Sequence, residues 1–304
     1  ASGLWAKVDR SSTTALSVTA TVVGELARCG PGSPASATVT GRLPVPGATL
    51  HHEVRGAAGP PLLLLAGGNS DAAVFEGLAP VLADDHRVIA YDPRGNSRST
   101  LDGPPVDQRV EEHADDIRRL LDHLVPAGQR VRVFASCSGG LAALHFAGLH
   151  PERVEALVVH EPPALRLLPD AEEHLRLVDR VEETRRREGT GAAMAVLSAL
   201  FGGRPAPELP EERDNTEFFL AHVLRPTTHH LPDLTTIAAG AARIAVAGGR
   251  ASREQTVHRP ARALAAYLDQ QLVEFPGGHV GYVKWPREFA EVLRVTLAAL
   301  PRRR

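Results

Sequence analysis

Four short apolar runs, Pro61–Ala66, Arg87–Tyr91, Val131–Phe134 and Val154–His160, constrain the fold more than any other feature of the chain. Each is too short for a buried helix and is rich in Leu or β-branched residues, so each reads as a strand buried on both faces. Between the second and third runs, Val110, Ala114, Ile117, Leu121 and Leu124 recur at helical spacing, and the stripe ends near Pro126. Strands that alternate with helices need crossover connections, which predicts a doubly wound, mostly parallel sheet. Upstream, Ala37–Leu43 and Ala48–Val54 flank Pro44-Val-Pro-Gly47, a hairpin signal that would open the sheet with an antiparallel edge.

The alternation breaks at Pro162-Pro163. Residues 164–240 contain the charged amphipathic stretch Ala171–Arg187 and the segment Phe218–Leu224 but no clear strand, so they are expected to form a helical cap. Strand and helix signals resume at Arg243–Ala247, Pro260–Leu268, Leu272–Phe275 and Pro286–Leu300. The expected organisation is a core built from residues 37–163 and 241–304, a cap over 164–240, and an extension over 1–36 that ends in the turn-rich Cys29-Gly-Pro-Gly-Ser-Pro.

A formal net charge of -2 with 43% hydrophobic residues provides no basic field for nucleic acid, and the expected partner is a small molecule. Two cysteines, Cys29 and Cys137, are too few for a disulfide framework and fit a reducing cytoplasm, with a single Cys29–Cys137 bridge as the alternative. No run approaches the roughly 18 apolar residues needed to span a bilayer. Leu26-Ala-Arg-Cys29 has the spacing of a lipoprotein processing site, but Arg28 stands where a small residue is needed. A cytoplasmic protein with no membrane association is the expectation.

Chemistry concentrates in Val131-Arg-Val-Phe-Ala-Ser-Cys-Ser-Gly-Gly140 and the helical run Leu141–Ala147 that follows. A nucleophile displayed on a strand-to-helix turn needs small residues two before and two after it, because the turn is strained and packed against both elements. Ala135 and Gly139 meet that need around Cys137. The helix would point its N-terminus at the thiol, where its dipole favours a thiolate and its free N–H groups can bind an oxyanion. Ser136 would place bulky Phe134 at the first flanking position; Ser138, between Ser136 and Gly140, is a poorer match than Cys137 but remains open, as does an inert buried cysteine.

From about Ala37 to Leu300 the chain resembles the α/β-hydrolase superfamily, whose nucleophile elbow normally reads G-x-S-x-G. Here Ala135 replaces the first glycine and Cys137 the serine. Leu65-Ala-Gly-Gly-Asn-Ser70 occupies the place of the superfamily's His-Gly motif, with Ala66 at the histidine position. The resemblance therefore implies an oxyanion hole from the Gly68 N–H, with Asn69 as the neighbour easily confused with it, and the Ser138 N–H. Tyr91-Asp-Pro-Arg-Gly-Asn-Ser-Arg-Ser99 is similar to a structural D-x-R-G-x-G-x-S element, so Asp92 and Arg94 receive no catalytic role.

The catalytic base should follow the last strand. With fourteen histidines in the chain, residue type alone selects none, but Phe275-Pro-Gly-Gly-His-Val-Gly281 places His279 in the required order after the nucleophile. The usual site for the acid, after the penultimate strand, has no carboxylate in Ala247-Gly-Gly-Arg-Ala-Ser252, and Glu254 comes only beyond it. Superfamily members also use the end of the preceding strand, where Glu161 stands in Val158-Val-His-Glu-Pro-Pro163. A carboxylate there is costly to bury without a partner, and an imidazole would be one. Glu161 is the preferred acid and Glu254 the alternative. The pairs His51-His52 and His229-His230 lack companion ligands at metal spacing, so no metal or cofactor is expected.

A cysteine, a histidine and an oxyanion hole support attack on an acyl carbon through a thioester intermediate. Cysteine versions of this fold include dienelactone hydrolases, thioesterases of polyketide and peptide assembly, and Dieckmann-type cyclases; the cyclases also resemble this chain in the position of the acid. The expected substrate is an ester or thioester, with a carrier-protein or coenzyme A thioester as one form of delivery, and the outcome is cyclisation, transfer or hydrolysis. Two other readings stay open: a serine-type esterase in which cysteine replaces the serine, and a non-catalytic binding protein of the same fold. Cys137→Ala should abolish turnover yet shift thermal unfolding little, because alanine at a turn creates almost no cavity; near-wild-type turnover would return Ser136 and Ser138 to consideration.

Overall fold

The run Pro61–Leu65 is buried at every position because its two faces feed different cores. Leu63 and Leu65 join one apolar cluster, and Leu62 and Leu64 join the other, as the period of two along a strand requires. The computed structural model describes residues 38–205, 215–240 and 243–301. Its nine strands, counted among the described residues, are β1 (Thr38–Val45), β2 (Ala48–Arg55), β3 (Pro61–Leu65), β4 (Arg87–Tyr91), β5 (Thr100–Leu101), β6 (Val131–Ser136), β7 (Val154–His160), β8 (Ile244–Gly249) and β9 (Val273–Phe275). They form one sheet in the order β1-β2-β4-β3-β6-β7-β8-β9, with β5 paired to β2. The β1–β2 hairpin and its join to β4 are antiparallel, and every step from β4 to β9 is parallel.

The helices of the core are α1 (Leu78–Leu82), α2 (Val110–Leu124) and α3 (Ser138–Leu149) before the insertion. Between β7 and β8 the chain leaves the sheet to form α4 (Ala171–Glu188), α5 (Thr190–Leu197), α6 (Asn215–Phe218), α7 (Leu224–His229) and α8 (Leu234–Ala239). It returns through β8 to α9 (Arg259–Tyr267), α10 (Gly281–Lys284) and α11 (Pro286–Ala299). Residues of α2, α3 and α9 cover one face of the sheet, and those of α1 and α11 cover the other. The insertion has a core of its own, in which Leu175, Val178 and Val181 of α4 meet Leu197, Leu220 and Leu224.

Several strand ends differ by one or two residues from the pattern in the sequence: β1 runs on to Val45, β2 to Arg55, β3 stops at Leu65 and β8 starts at Ile244, and two further differences matter. The β6 run continues past Phe134 to Ser136, which pairs with His160, and β8 continues through Gly248-Gly249, which pair with Glu274 and Phe275. Both extensions come from small or polar residues that carry no apolar signal, yet they lengthen the strands toward the same edge of the sheet. β9 starts at Val273 and not at Leu272. The extension over residues 1–36, including Cys29, lies outside the described residues. Among the described residues no helix is long and apolar enough to cross a membrane.

Asp92 and Arg94 fasten the loop after β4. Asp92 Oδ1 accepts the Ala72 N–H at 3.0 Å and Oδ2 accepts the Arg98 N–H at 3.0 Å. The Arg94 guanidinium reaches back to α2 and grips buried Asp116 through two hydrogen bonds of 2.7 and 2.6 Å. Removing one partner of such a pair strands the other charge in the core. Arg94→Met should lower unfolding free energy by about 3–5 kcal/mol in urea denaturation, and adding Asp116→Leu should recover part of that loss; an unchanged midpoint in the single variant would mean that the pair carries no such weight.

Candidate active site

Four neighbouring parallel strands end at one edge of the sheet, and the residues that sequence order picked out lie just beyond those ends. Cys137 follows β6 and caps α3, with φ 52° and ψ -130°. That strained conformation is held from both sides: the Cys137 N–H continues the ladder to the His160 carbonyl at 3.0 Å, and its carbonyl accepts the Gly140 N–H at 2.9 Å. A Cβ on Gly139 would stand 2.4 Å from the Ala66 carbonyl oxygen, so the residue two after the thiol has to be glycine. Ala135, where the superfamily has its first glycine, is fully buried with its methyl accommodated.

Glu161 follows β7, also at positive φ (45°), and its N–H donates to the Ala247 carbonyl at 3.0 Å. The side chain is 1% exposed. Oε2 accepts a hydrogen bond from His279 Nδ1 at 2.7 Å. Oε1 accepts from the Gly249 N–H at 2.8 Å, Ser252 Oγ at 2.5 Å and His258 Nδ1 at 2.8 Å. Glu254, the alternative acid, is exposed on the turn after β8, and the imidazole nitrogen it would have oriented is already taken by Glu161.

His279 lies on the loop after β9 and hydrogen-bonds the Cys137 thiol as well as Glu161, so the three side chains form one chain of contacts. The ring of Phe201, from the cap, packs edge-on against the imidazole with centroids 5.7 Å apart. Burial disfavours charge on this ring, but the hydrogen bonds to Cys137 and Glu161 outweigh it and push the His279 pKa up to about 10. For Glu161, burial again opposes ionisation, and the hydrogen bonds from His258 and His279 overcome it and hold the carboxyl well below the usual carboxylate range. The neighbouring His160 is kept neutral by burial among Phe134, Phe275, Tyr282 and Phe289, its pKa lowered to about 4, so it does not compete as a cation for the carboxylate.

The oxyanion loop departs from expectation in one respect. The Gly68 N–H, expected to face the reacting carbonyl, donates to Ser138 Oγ at 2.8 Å, so a hydroxyl occupies the donor that an oxyanion would use. Ser138 N–H opens α3, where the first N–H groups of a helix have no intrahelical acceptor. Asn69 faces the cap: its side-chain amide donates to Thr216 Oγ1 at 3.0 Å, and its carbonyl accepts from Asn215 Nδ2 at 3.1 Å. Ser136 is fully buried beneath the turn. The histidine pairs lie elsewhere, His52 against His123, His229 beside Asp179 and His230 against His145.

Above Cys137 and His279 the cap covers a cavity of about 90 Å³ that is partly open to solvent. Leu165, Met194, Leu197, Leu200, Phe219 and Leu224 form much of its wall, and Glu161 and His279 are the charged residue types that reach it. Such a cavity favours an uncharged apolar group beside the thiol. Sequence reasoning missed His258 and Ser252, which the extension of β8 brings under Glu161, and it missed the cap contacts of Asn69. No local pattern marks any of them.

Residues 60–201 match the sequence model of the family described as alpha/beta hydrolase fold. The chain is 36% identical over 259 residues to an uncharacterized hydrolase, YraK, of Bacillus subtilis (strain 168), a match covering 83% of this chain and 94% of that protein. Among solved structures, a thermophilic esterase from Thermogutta terrifontis superposes with a TM-score of 0.67 at 23% identity, covering 87% of this chain and 99% of its own. The enol-lactonase from Burkholderia xenovorans LB400 gives a TM-score of 0.57 at 18% identity, covering 85% and 100% respectively. The chain belongs to the α/β-hydrolase superfamily, and it is a hydrolase of that fold.

The linked titrations of the site should appear in stability. A histidine whose pKa rises on folding stabilises the native state fully below its unfolded value of 6.5, and that stability is lost as pH rises toward about 10. The depressed Glu161 acts oppositely: its contribution is present above 4.5 and is lost only as pH falls through its much lower folded value. Thermal unfolding followed across the alkaline interval should show a progressive fall in Tm for the wild type and a flatter profile for His279→Gln, which has no ring to titrate; parallel curves would mean that the charge on His279 does not stabilise the fold.

Proposed function

We propose that Cys137, His279 and Glu161 act as a catalytic triad on an ester or thioester, through a covalent acyl-cysteine. The observation that carries this reading is the continuous set of contacts from the elbow thiol through the buried imidazole to the buried carboxylate. His279 stands beside the sulfur, where it can take the thiol proton, and the N-terminus of α3 lies below it. The thiolate forms a bond to the carbonyl carbon as the carbonyl electron pair moves to oxygen, where the Ser138 N–H and, after the Ser138 hydroxyl moves aside, the Gly68 N–H receive it. Collapse breaks the bond to the leaving group, which takes its proton from His279. An acceptor then gives a proton to His279, attacks the thioester and releases Cys137.

The acceptor decides whether the product is an acid, a transferred acyl group or a ring. Serine serves simple ester hydrolysis, whereas a thioester stays activated toward amines, alcohols and carbanions. An apolar cavity with few charged residues supports an uncharged acyl group beside the thiol. We therefore favour passage of the acyl group to an acceptor held under the cap, intramolecular or bound, over release to water. A carrier-protein or coenzyme A thioester is one form in which such an acyl group arrives. The burial of Ser136 and the engagement of Ser138 with Gly68 favour the cysteine over either serine as nucleophile.

Incubation with an acyl thioester followed by mass spectrometry should find the acyl group on Cys137, and product analysis of Cys137→Ser should find hydrolysis retained with most of the transferred or cyclised product lost. Free acid as the sole product of both proteins, with the acceptor present, would sink the transfer reading and leave a thiol hydrolase; no adduct on Cys137 during turnover would sink the cysteine reading itself.

A further inference from the structure

The loop after β8 is where this superfamily usually carries its acid, and here it carries donors instead. Glu161 reaches into that place from β7, and the loop turns the Gly249 N–H, the Ser252 hydroxyl and the His258 imidazole onto its Oε1. Being ionised, the carboxylate only accepts, so His258 Nδ1 carries the proton in this contact. The ring is 1% exposed and wedged against β8: a Cβ on Gly248 would stand 2.5 Å from His258 Cε1, so glycine at that position makes the room the imidazole needs. Two imidazoles thus share one carboxylate, one on each oxygen.

We propose that His258 is a positioning residue of the reaction, clamping Oε1 so that Oε2 stays aimed at His279. The inference rests on the triad reading of Cys137, His279 and Glu161. A glutamate has one more rotatable bond than an aspartate, and at the end of a strand its carboxylate can swing about that bond unless a second direction is fixed. The Gly249 N–H and Ser252 hydroxyl hold Oε1 from the β8 turn itself; His258, at the head of α9, ties the same oxygen to a separate helix and so fixes its orientation relative to the core. The other titratable groups nearby are His160, neutral through burial on β7, Tyr282, whose buried phenol is held protonated, and Glu274 on β9, which is ion-paired with Arg253.

A filler of space and a clamp make different predictions for substitutions that preserve volume. Leucine at 258 fills the site without a donor, asparagine places an amide N–H close to the position of Nδ1, and glutamine places one near the position of Nε2. The test measures kcat and KM on an activated thioester, Tm, and the pH dependence of Cys137 alkylation by iodoacetamide. His258→Leu should lower kcat by roughly ten- to a hundred-fold with KM little changed, the scale of one hydrogen bond to a charged group. It should also move the rise of the alkylation profile to higher pH, because a misaligned carboxylate supports the His279 imidazolium less well. His258→Asn should restore both readouts toward wild type. If the leucine variant does not fold, the amide pair decides, with asparagine active and glutamine impaired. Wild-type kcat and alkylation profile in His258→Leu, with only Tm reduced, or equal behaviour of asparagine and glutamine, would overturn the clamp. A wild-type Cys137 no more reactive toward iodoacetamide than a free thiol would overturn the triad reading instead, and the clamp with it.

Discussion

The carboxylate of Glu161 is the constraint around which the site is built. An ion excluded from water carries a desolvation penalty of several kcal/mol, and attraction to a single partner seldom offsets it. Here four donors from three places surround it: a backbone N–H and a hydroxyl from the β8 turn, one imidazole from the head of α9 and one from the loop after β9. Each donor also fixes the element that carries it. Satisfying this one charge therefore draws together segments that the sheet leaves as independent loops, and the same act orients His279 toward the sulfur. Glu161 holds positive φ while its N–H continues the ladder to Ala247, and Pro162 after it disfavours the right-handed helical region.

A second strained residue stands one strand away. Cys137 and Glu161 both occupy a region that costs of order 1–3 kcal/mol for a residue with a side chain, and both are held there by hydrogen bonds to the next parallel strand. The close approach of Gly67 and Gly139 to neighbouring backbone shows how tightly the elbow is enclosed: a methyl group on either would fall within 2.6 Å of a backbone atom. Close packing of this kind keeps a thiol pointing out of the sheet without a dedicated restraint of its own. It also explains why alanine is tolerated at 135, where the methyl enters the apolar layer beside Leu65, Val133 and Val159, but would not be at 139.

What the sequence made legible follows from how local each signal is. The strands β4 and β7 and the helix α2 end where the sequence marked them, because a continuous apolar run and the stripe Val110 to Leu124 are set by nearest neighbours along the chain. Cys137 and His279 could be read from the small residues around them and from their order. Glu161 was readable because a carboxylate ending an apolar strand is expensive without a purpose. His258, Ser252, Asn215 and Thr216 were not readable, since each acts on a residue far away in sequence and sits in a segment whose composition is ordinary. The engagement of Gly68 by Ser138 was missed for a different reason: resemblance assigns the backbone donor, but the side chain beside it is particular to this chain.

The cap contributes more than a wall to the cavity. Asn215 donates to the Asn69 carbonyl and to Ser97 Oγ and accepts the Ser97 N–H, while Thr216 takes the Asn69 amide. On the next turn of the same helix, the Phe218 ring lies where a side chain at Gly95 would be, leaving no room for one. The loop after β3 is thus held between the elbow, through Ser138, and the cap, through Asn215 and Thr216, whereas the donors to Glu161 come from the core. The cap reaches that second framework too, through the Phe201 ring on His279 and the packing of Val257 against the cap core. Displacement of the cap would therefore free the Gly68–Asn69 loop from two hydrogen-bonding residues, Asn215 and Thr216, while costing His279 one edge-on ring contact and leaving every donor to Glu161 in place.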